Sequence, residues 1–164
     1  MNQPVVLKTI SVLLLLSVVG RITALPQGAP AGTCDSMAPV HRGSKHLNGS
    51  ESPYELVQEK RTFEPNESLS VQLLAKSSHH RGFLVKALGD QGEDVGRFLP
   101  GPNYKPIPLC SGATHENNNK KMNVDFVWKA PVDKSGSVRF KATVVQDYSL
   151  FYTDLWSTVK TRMH

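Results

Sequence analysis

Three histidines, His79, His80 and His115, are the side chains that most invite a metal, since imidazole nitrogens are common zinc ligands and loops can bring distant residues together. Their spacing does not favour one. Adjacent histidines on an extended segment point apart, and no His-x-x-x-His pair or partnering carboxylate accompanies them, so His79 and His80 read as exposed loop residues. Nucleophilic catalysis also lacks its parts: there is no Gly-x-Ser-x-Gly elbow, and no serine stands beside a recognisable base. Glu93 and Asp94 fall in a turn, where two carboxylates stay solvated instead of acquiring the split pKa values of an acid–base pair. No Gly-x-Gly-x-x-Gly or phosphate-binding loop occurs. With no convergent constellation, the sequence predicts a protein that is not an enzyme and needs no metal or other cofactor.

Binding is the chemistry that remains. Lys76, His79, His80 and Arg81 cluster between two strand-like runs, and Lys120 and Lys121 lie in the polar stretch before Val124. If these two segments share an end of the fold, their cations form a rim that attracts lipid phosphates or acidic polysaccharide. Otherwise they are ordinary solvated loop residues. The chain carries 19 basic and 14 acidic residues, a formal charge of +5, with no block of five like charges, so a nucleic-acid partner is not expected. Trp128 shares the phase of Val124 and Phe126 and is assigned to packing rather than to stacking on a ligand.

The chain opens with Met1 to Lys8, an apolar run from Ile10 to Val19, and then Gly20, Arg21 and Ala24, the layout of a secretory signal. The run is about half the roughly 20 residues a membrane-spanning helix needs. Residues 1–24 are therefore read as a signal peptide, cleaved after Ala24 or a few residues later in the Pro/Gly/Ala stretch. Cleavage removes Lys8 and Arg21 and no acidic residue, so the formal charge falls from +5 to +3. The product is expected to be extracellular, with no transmembrane segment. In an oxidising compartment its two cysteines, Cys34 and Cys110, are expected to pair. Asn48-Gly49-Ser50 and Asn66-Glu67-Ser68 are acceptor sequons for glycosylation in polar, turn-like stretches.

What remains, residues 25–164, is one domain's worth of chain. Residues 25–53, rich in Pro, Gly, Ala and Ser, read as an extended N-terminal arm held by Cys34. Beyond them come short strand-like apolar runs: Tyr54–Val57 and Phe83–Leu88, and, with period-two alternation, Leu69–Leu73, Val124–Trp128 and Val138–Val145. Gly89-Asp90-Gln91-Gly92 is a turn, and Asp133-Lys134-Ser135-Gly136 is read as a hairpin turn. Pro106 and Pro108 confine Ile107–Cys110 to an edge or to no strand at all. Phe151–Trp156 reads as a strand or an irregular wrap. No stretch shows helical periodicity, so the fold is expected to be all-β: six to eight strands in an antiparallel sandwich, with a barrel as the alternative.

In order and spacing these pieces resemble the reelin-domain (reeler) family. The resemblance lies in Cys34 with Met37, Pro39 and His41, in Ser52–Leu56, Phe63–Asn66, Arg81–Ala87, Gly96–Phe98, Cys110–His115, Trp128–Pro131 and Gly136–Val145. It implies an immunoglobulin-like antiparallel β-sandwich, with His115 in a structural motif, half-buried and hydrogen-bonded. The chain looks like the standalone secreted reeler proteins of insects, the noduler-like defence proteins. That likeness implies a secreted innate-immune protein that binds microbial lipopolysaccharide, lipoteichoic acid or glucan, engages the haemocyte surface and promotes nodulation. An extracellular adhesion or matrix module that binds a protein or glycosaminoglycan is the alternative, favoured if the protein is retained on heparin without binding microbes. Two departures stand out: the family's frequent second cysteine pair is missing, leaving the C-terminal part held by packing alone, and Pro65 is followed by Asn66 where the family commonly has glycine.

Overall fold

A computed structural model describes residues 27–39 and 43–160. The segment read as a signal peptide, residues 1–24, lies outside them, as does His41. The described chain is all-β, with only 3₁₀ turns besides its strands. One sheet has six strands in the order β1 (Lys45–Asn48), β12 (Leu150–Trp156), β11 (Arg139–Asp147), β5 (Gly82–Leu88), β8 (Gly112–His115) and β7 (Tyr104–Ile107). The other has five: β13 (Thr158–Val159), β2 (Tyr54–Gln58), β4 (Ser68–Ala75), β9 (Asn123–Lys129) and β6 (Arg97–Phe98). A two-stranded piece pairs β3 (Thr62–Phe63) with β10 (Gly136–Ser137). Both main sheets stay open, which makes the fold a sandwich and not a barrel.

The alternation seen in the sequence builds the interior. Leu69, Val71 and Leu73 of β4, with Val124, Phe126 and Trp128 of β9, face Phe140, Ala142 and Val144 of β11 and Phe83, Val85 and Ala87 of β5 across one core. Trp128 is buried, and its indole N–H donates to the Val95 carbonyl at 3.1 Å, which satisfies the one polar atom it brings inside. Gly96, at φ +60°, lies under that ring: a Cβ there would stand 2.3 Å from Trp128 Cζ2. Pro106 sits in β7, an edge strand, where a missing N–H costs no internal ladder bond.

The remaining pairings depart from the expected pattern. Most ladders are antiparallel, but the edge pairs β1–β12 and β13–β2 are parallel. Each joins strands distant in sequence, which no tight turn constrains. Phe151–Trp156 is a strand. The segment Asp133–Gly136 is not a hairpin turn: β9 and β11, which flank it, belong to different sheets, and the chain crosses between them. Turn-forming residues mark a reversal but do not name the strand that follows as partner. Nor is the stretch 25–53 simply an extended arm. It contains β1 and a 3₁₀ turn at Gly49–Glu51, capped by Asn48, in which the Asn48 side chain accepts from Ser50 N and Glu51 accepts from Asn48 N. The side chains of β1 are mostly exposed, so its main-chain pairing left no apolar alternation to read.

The arm proper lies on the outer face of the six-stranded sheet. Cys34 is disulfide-bonded to Cys110, and with Met37 it packs on Leu84 and Ile107 in a second small core. Thr143 donates to the Met37 carbonyl, and the Ala29 N–H donates to Thr114 Oγ1 at 2.9 Å. This cover explains why β5 reads as apolar on both faces. The C-terminal strands are held by more than packing: β12 lies between β1 and β11, and Ser157 links the two sheets. The Ser157 hydroxyl donates to buried Gln58 and accepts from Phe140 N, while Gln58 Nε2 donates to the carbonyls of Lys60 and Val138 at 2.6 and 3.0 Å.

Candidate functional site

The β4–β5 and β8–β9 connections, which hold all six candidate cationic residues, meet at one end of the sandwich. His80 and Lys121 exchange both backbone bonds, N–H to carbonyl, at 2.9 and 2.8 Å, and Arg81 donates from Nη1 to the Asn118 carbonyl at 3.2 Å. The two segments therefore share an end, the condition on which a cationic rim depends.

Two of the six, however, are not surface residues. Lys121 is only 6% exposed, and its ammonium donates to the carbonyls of Asn117, Asn119 and Arg81 at 2.6, 2.8 and 3.2 Å, and to Asn117 Oδ1 at 3.1 Å. It closes its own turn, as a bound cation would, and staples it to the neighbouring segment. Burial first, and Arg81 second, holds the Lys121 ammonium below the ordinary lysine range. His80 is fully buried, packed edge-on against Tyr54 and Phe83 at 5.5 and 5.9 Å between ring centroids. Among the described residues neither of its ring nitrogens has a hydrogen-bond partner. Burial, followed by the nearby Lys121 charge, pushes its pKa down to about 4, so the ring is neutral at physiological pH. The reading of His80 as an exposed loop histidine is corrected: its backbone is fixed by the bridge to Lys121, and Tyr54, whose hydroxyl donates to the His79 carbonyl at 2.9 Å, helps close the space around it.

The other four reach the surface to differing degrees. Lys76 is exposed but paired with Glu55 at 2.6 Å. His79 and Arg81 are half-buried, and Lys120 is exposed. Lys45 belongs to the same end and was not singled out from the sequence: its N–H donates to Ser149 in the β11–β12 turn, beside Val145, whose carbonyl receives Arg81 N–H. Only the β1–β12 pairing brings it there, so no local signal could have revealed it. Asp147, another acid of this end besides Glu55, is held below the usual carboxylate range mainly by hydrogen bonds from Ser149.

His115 is half-buried, as expected, and its Nδ1 accepts the Phe83 N–H at 3.2 Å. Among the described residues no group of three histidine, cysteine or acidic side chains converges as metal ligands would. The sequons lie away from the rim. Asn48 ends the edge strand β1, and Asn66 precedes β4 at the end opposite residues 76–81. Asn66 adopts φ +59°, a left-handed conformation that asparagine tolerates, and so fills the position where the family commonly has glycine.

The fold is thus a two-sheet β-sandwich whose N-terminal arm is clamped by a disulfide and whose polar loops gather at one end. The particular family follows from comparison: residues 32–163 match the Reeler domain, and the chain belongs to that family. It is 29% identical over 154 residues to "Putative defense protein 3" of Antheraea mylitta, covering 90% of this chain and 92% of that one. It is 32% identical over 140 residues to "Putative ferric-chelate reductase 1 homolog" of Drosophila melanogaster, but spans only 22% of that protein's length. The fold matches the crystal structure of the human F-spondin reeler domain with a TM-score of 0.58 at 22% identity, covering 74% of this chain and 96% of that one. Among the described residues no helix is long and apolar enough to cross a membrane.

Proposed function

We propose that this chain is a secreted, non-enzymatic defence protein that binds anionic microbial surface components, lipopolysaccharide or lipoteichoic acid above neutral glucan, and brings them to haemocytes for nodulation and the antibacterial response. The relatives that match along nearly their whole length carry defence names, whereas the reductase-named relatives share only a fraction of theirs. The observation that carries the reading is the joined loop end, where Arg81, Lys120 and Lys45 stand on a support stapled by Lys121. A glycan at Asn66, at the far end of β4, would leave that end uncovered, and the disulfide agrees with an exported product.

The test is saturable binding of the mature protein to lipopolysaccharide, lipoteichoic acid and β-glucan. Changing Arg81 and Lys120 together to Ala is expected to weaken binding to the two anionic ligands at least tenfold at physiological salt, while Lys76→Ala changes it little because Glu55 already compensates that charge. Absence of binding to all three would remove the proposal.

A further inference from the structure

Among the described residues, the arm covers only part of the outer face of the six-stranded sheet. Its contacts fall on the row formed by Thr143, Leu84 and Thr114, which are aligned across β11, β5 and β8. The next row, which alternation places on the same face, aligns Trp156, Lys141 and Lys86, and beyond it Arg139 pairs with Leu88. Trp156 is 38% exposed although it is one of only two tryptophans in the chain, the other being the buried Trp128.

Charge on this shelf is not balanced. Lys86 pairs with Asp94 at 2.8 Å and Lys141 with Asp154 at 2.6 Å, which fixes both lysine stems but leaves the third cation, Arg139, without a carboxylate among the described residues. The Arg139 guanidinium lies 4.5 Å from the centroid of the Trp156 ring system, with Lys141 Nζ at 5.4 Å. Its Nε is buried and has no acceptor. Cation–π attraction holds the guanidinium beside the indole, and with Nε turned inward its two terminal nitrogens are the ones left to form a two-pronged bond with a carboxylate or phosphate.

We propose that Arg139, Trp156 and Lys141 form a binding site for an acidic sugar residue, with the anionic group on Arg139 and the sugar ring against the exposed part of Trp156. A sugar fits better than a lipid: an indole beside fixed cations offers one apolar and one charged contact at sugar-ring spacing. The site lies apart from the loop end and goes beyond the function proposed for it, sharing only the preference for anionic glycans.

Tryptophan emission reads this site directly, because Trp128 is fully buried. Titration with oligogalacturonate is expected to shift the emission saturably, and dextran of equal length is expected to leave it unchanged. Arg139→Gln, which keeps the stem packed, should weaken oligogalacturonate at least tenfold, and Trp156→Phe should abolish the optical response. The double change of Arg81 and Lys120 to Ala should leave both intact. On the unaltered protein, iodide should quench better than caesium, and oligogalacturonate should protect against it. An equal response to dextran, undiminished affinity in Arg139→Gln, or no protection from iodide overturns the proposal. If acidic sugar binding is lost with Arg81 and Lys120 and kept in Arg139→Gln, the shelf is refuted and the loop end supported; the opposite pattern refutes only the loop end as the site.

Discussion

The loop end and the sheet shelf use the same kinds of residue to opposite ends. At the loop end Lys121 turns inward to carbonyl oxygens, and His80 is buried with ring nitrogens that have no hydrogen-bond partner among the described residues, so two of the basic residues gathered there are structural. On the shelf Lys86 and Lys141 are paired with carboxylates at the surface, and Arg139 lies on an indole with no carboxylate partner among the described residues. A loop is rich in carbonyl groups that no ladder satisfies, and a nearby ammonium is drawn to them. A sheet face has its carbonyls already paired, so its cations must find carboxylates, rings or an external ligand. Counting basic residues in a stretch of sequence therefore overstates a binding surface in loops and understates it on strands.

Removing the clamp that separates the shelf from the covered half of its sheet should have the largest effect. Cys34→Ala with Cys110→Ala is expected to cost about 4 kcal/mol in the chain-entropy account of a long closed loop, read as a lower urea midpoint, and to expose the face over Leu84. An unchanged midpoint would show that the arm holds by packing alone.

Acid should weaken the loop end next. The folded-state pKa of His80, about 4, is below the ordinary 6.5, so the unfolded chain takes up the proton first. The contribution is complete above pH about 6.5, declines as the pH falls toward 4, and amounts to about 3 kcal/mol in all. His80→Leu should flatten this part of the profile, measured as the difference between parent and variant urea stabilities at pH 7 and 4.5. Parallel profiles would refute the burial of an uncharged ring. Lys121→Met should cost about 2 kcal/mol, since it leaves several turn carbonyls without a donor, and should speed amide exchange across residues 116–121. The smallest effect belongs to the surface: Lys76→Ala should change stability by less than about 1 kcal/mol, as expected of an exposed ion pair.

Legibility followed periodicity. β4, β9 and β11 alternate in the sequence as they alternate in burial, because one face of each meets the core and the other meets water. β1 showed no such signal, being an edge strand joined by main-chain bonds. His80 left none either: a polar residue in a stretch of Lys, Ser, His and Arg looks solvated, and its burial depends on Phe83 three residues on and on Tyr54 and Lys121, which arrive from two distant places in the chain. Trp156 was assigned to the strand or wrap at the end of the chain, but its partnership with Arg139 depends on the β11–β12 register.

By itself the sequence determined an all-β chain, the pairing of its only two cysteines, the proline-marked edge and the residues of the main core, since each rests on local alternation, residue chemistry or simple arithmetic. Tertiary structure alone decided which cations face water, which strands run parallel and how the arm divides the outer sheet face. Those outcomes depend on groups distant in sequence competing for the same hydrogen-bond partners and the same covered surface, and no single segment records who its competitors are.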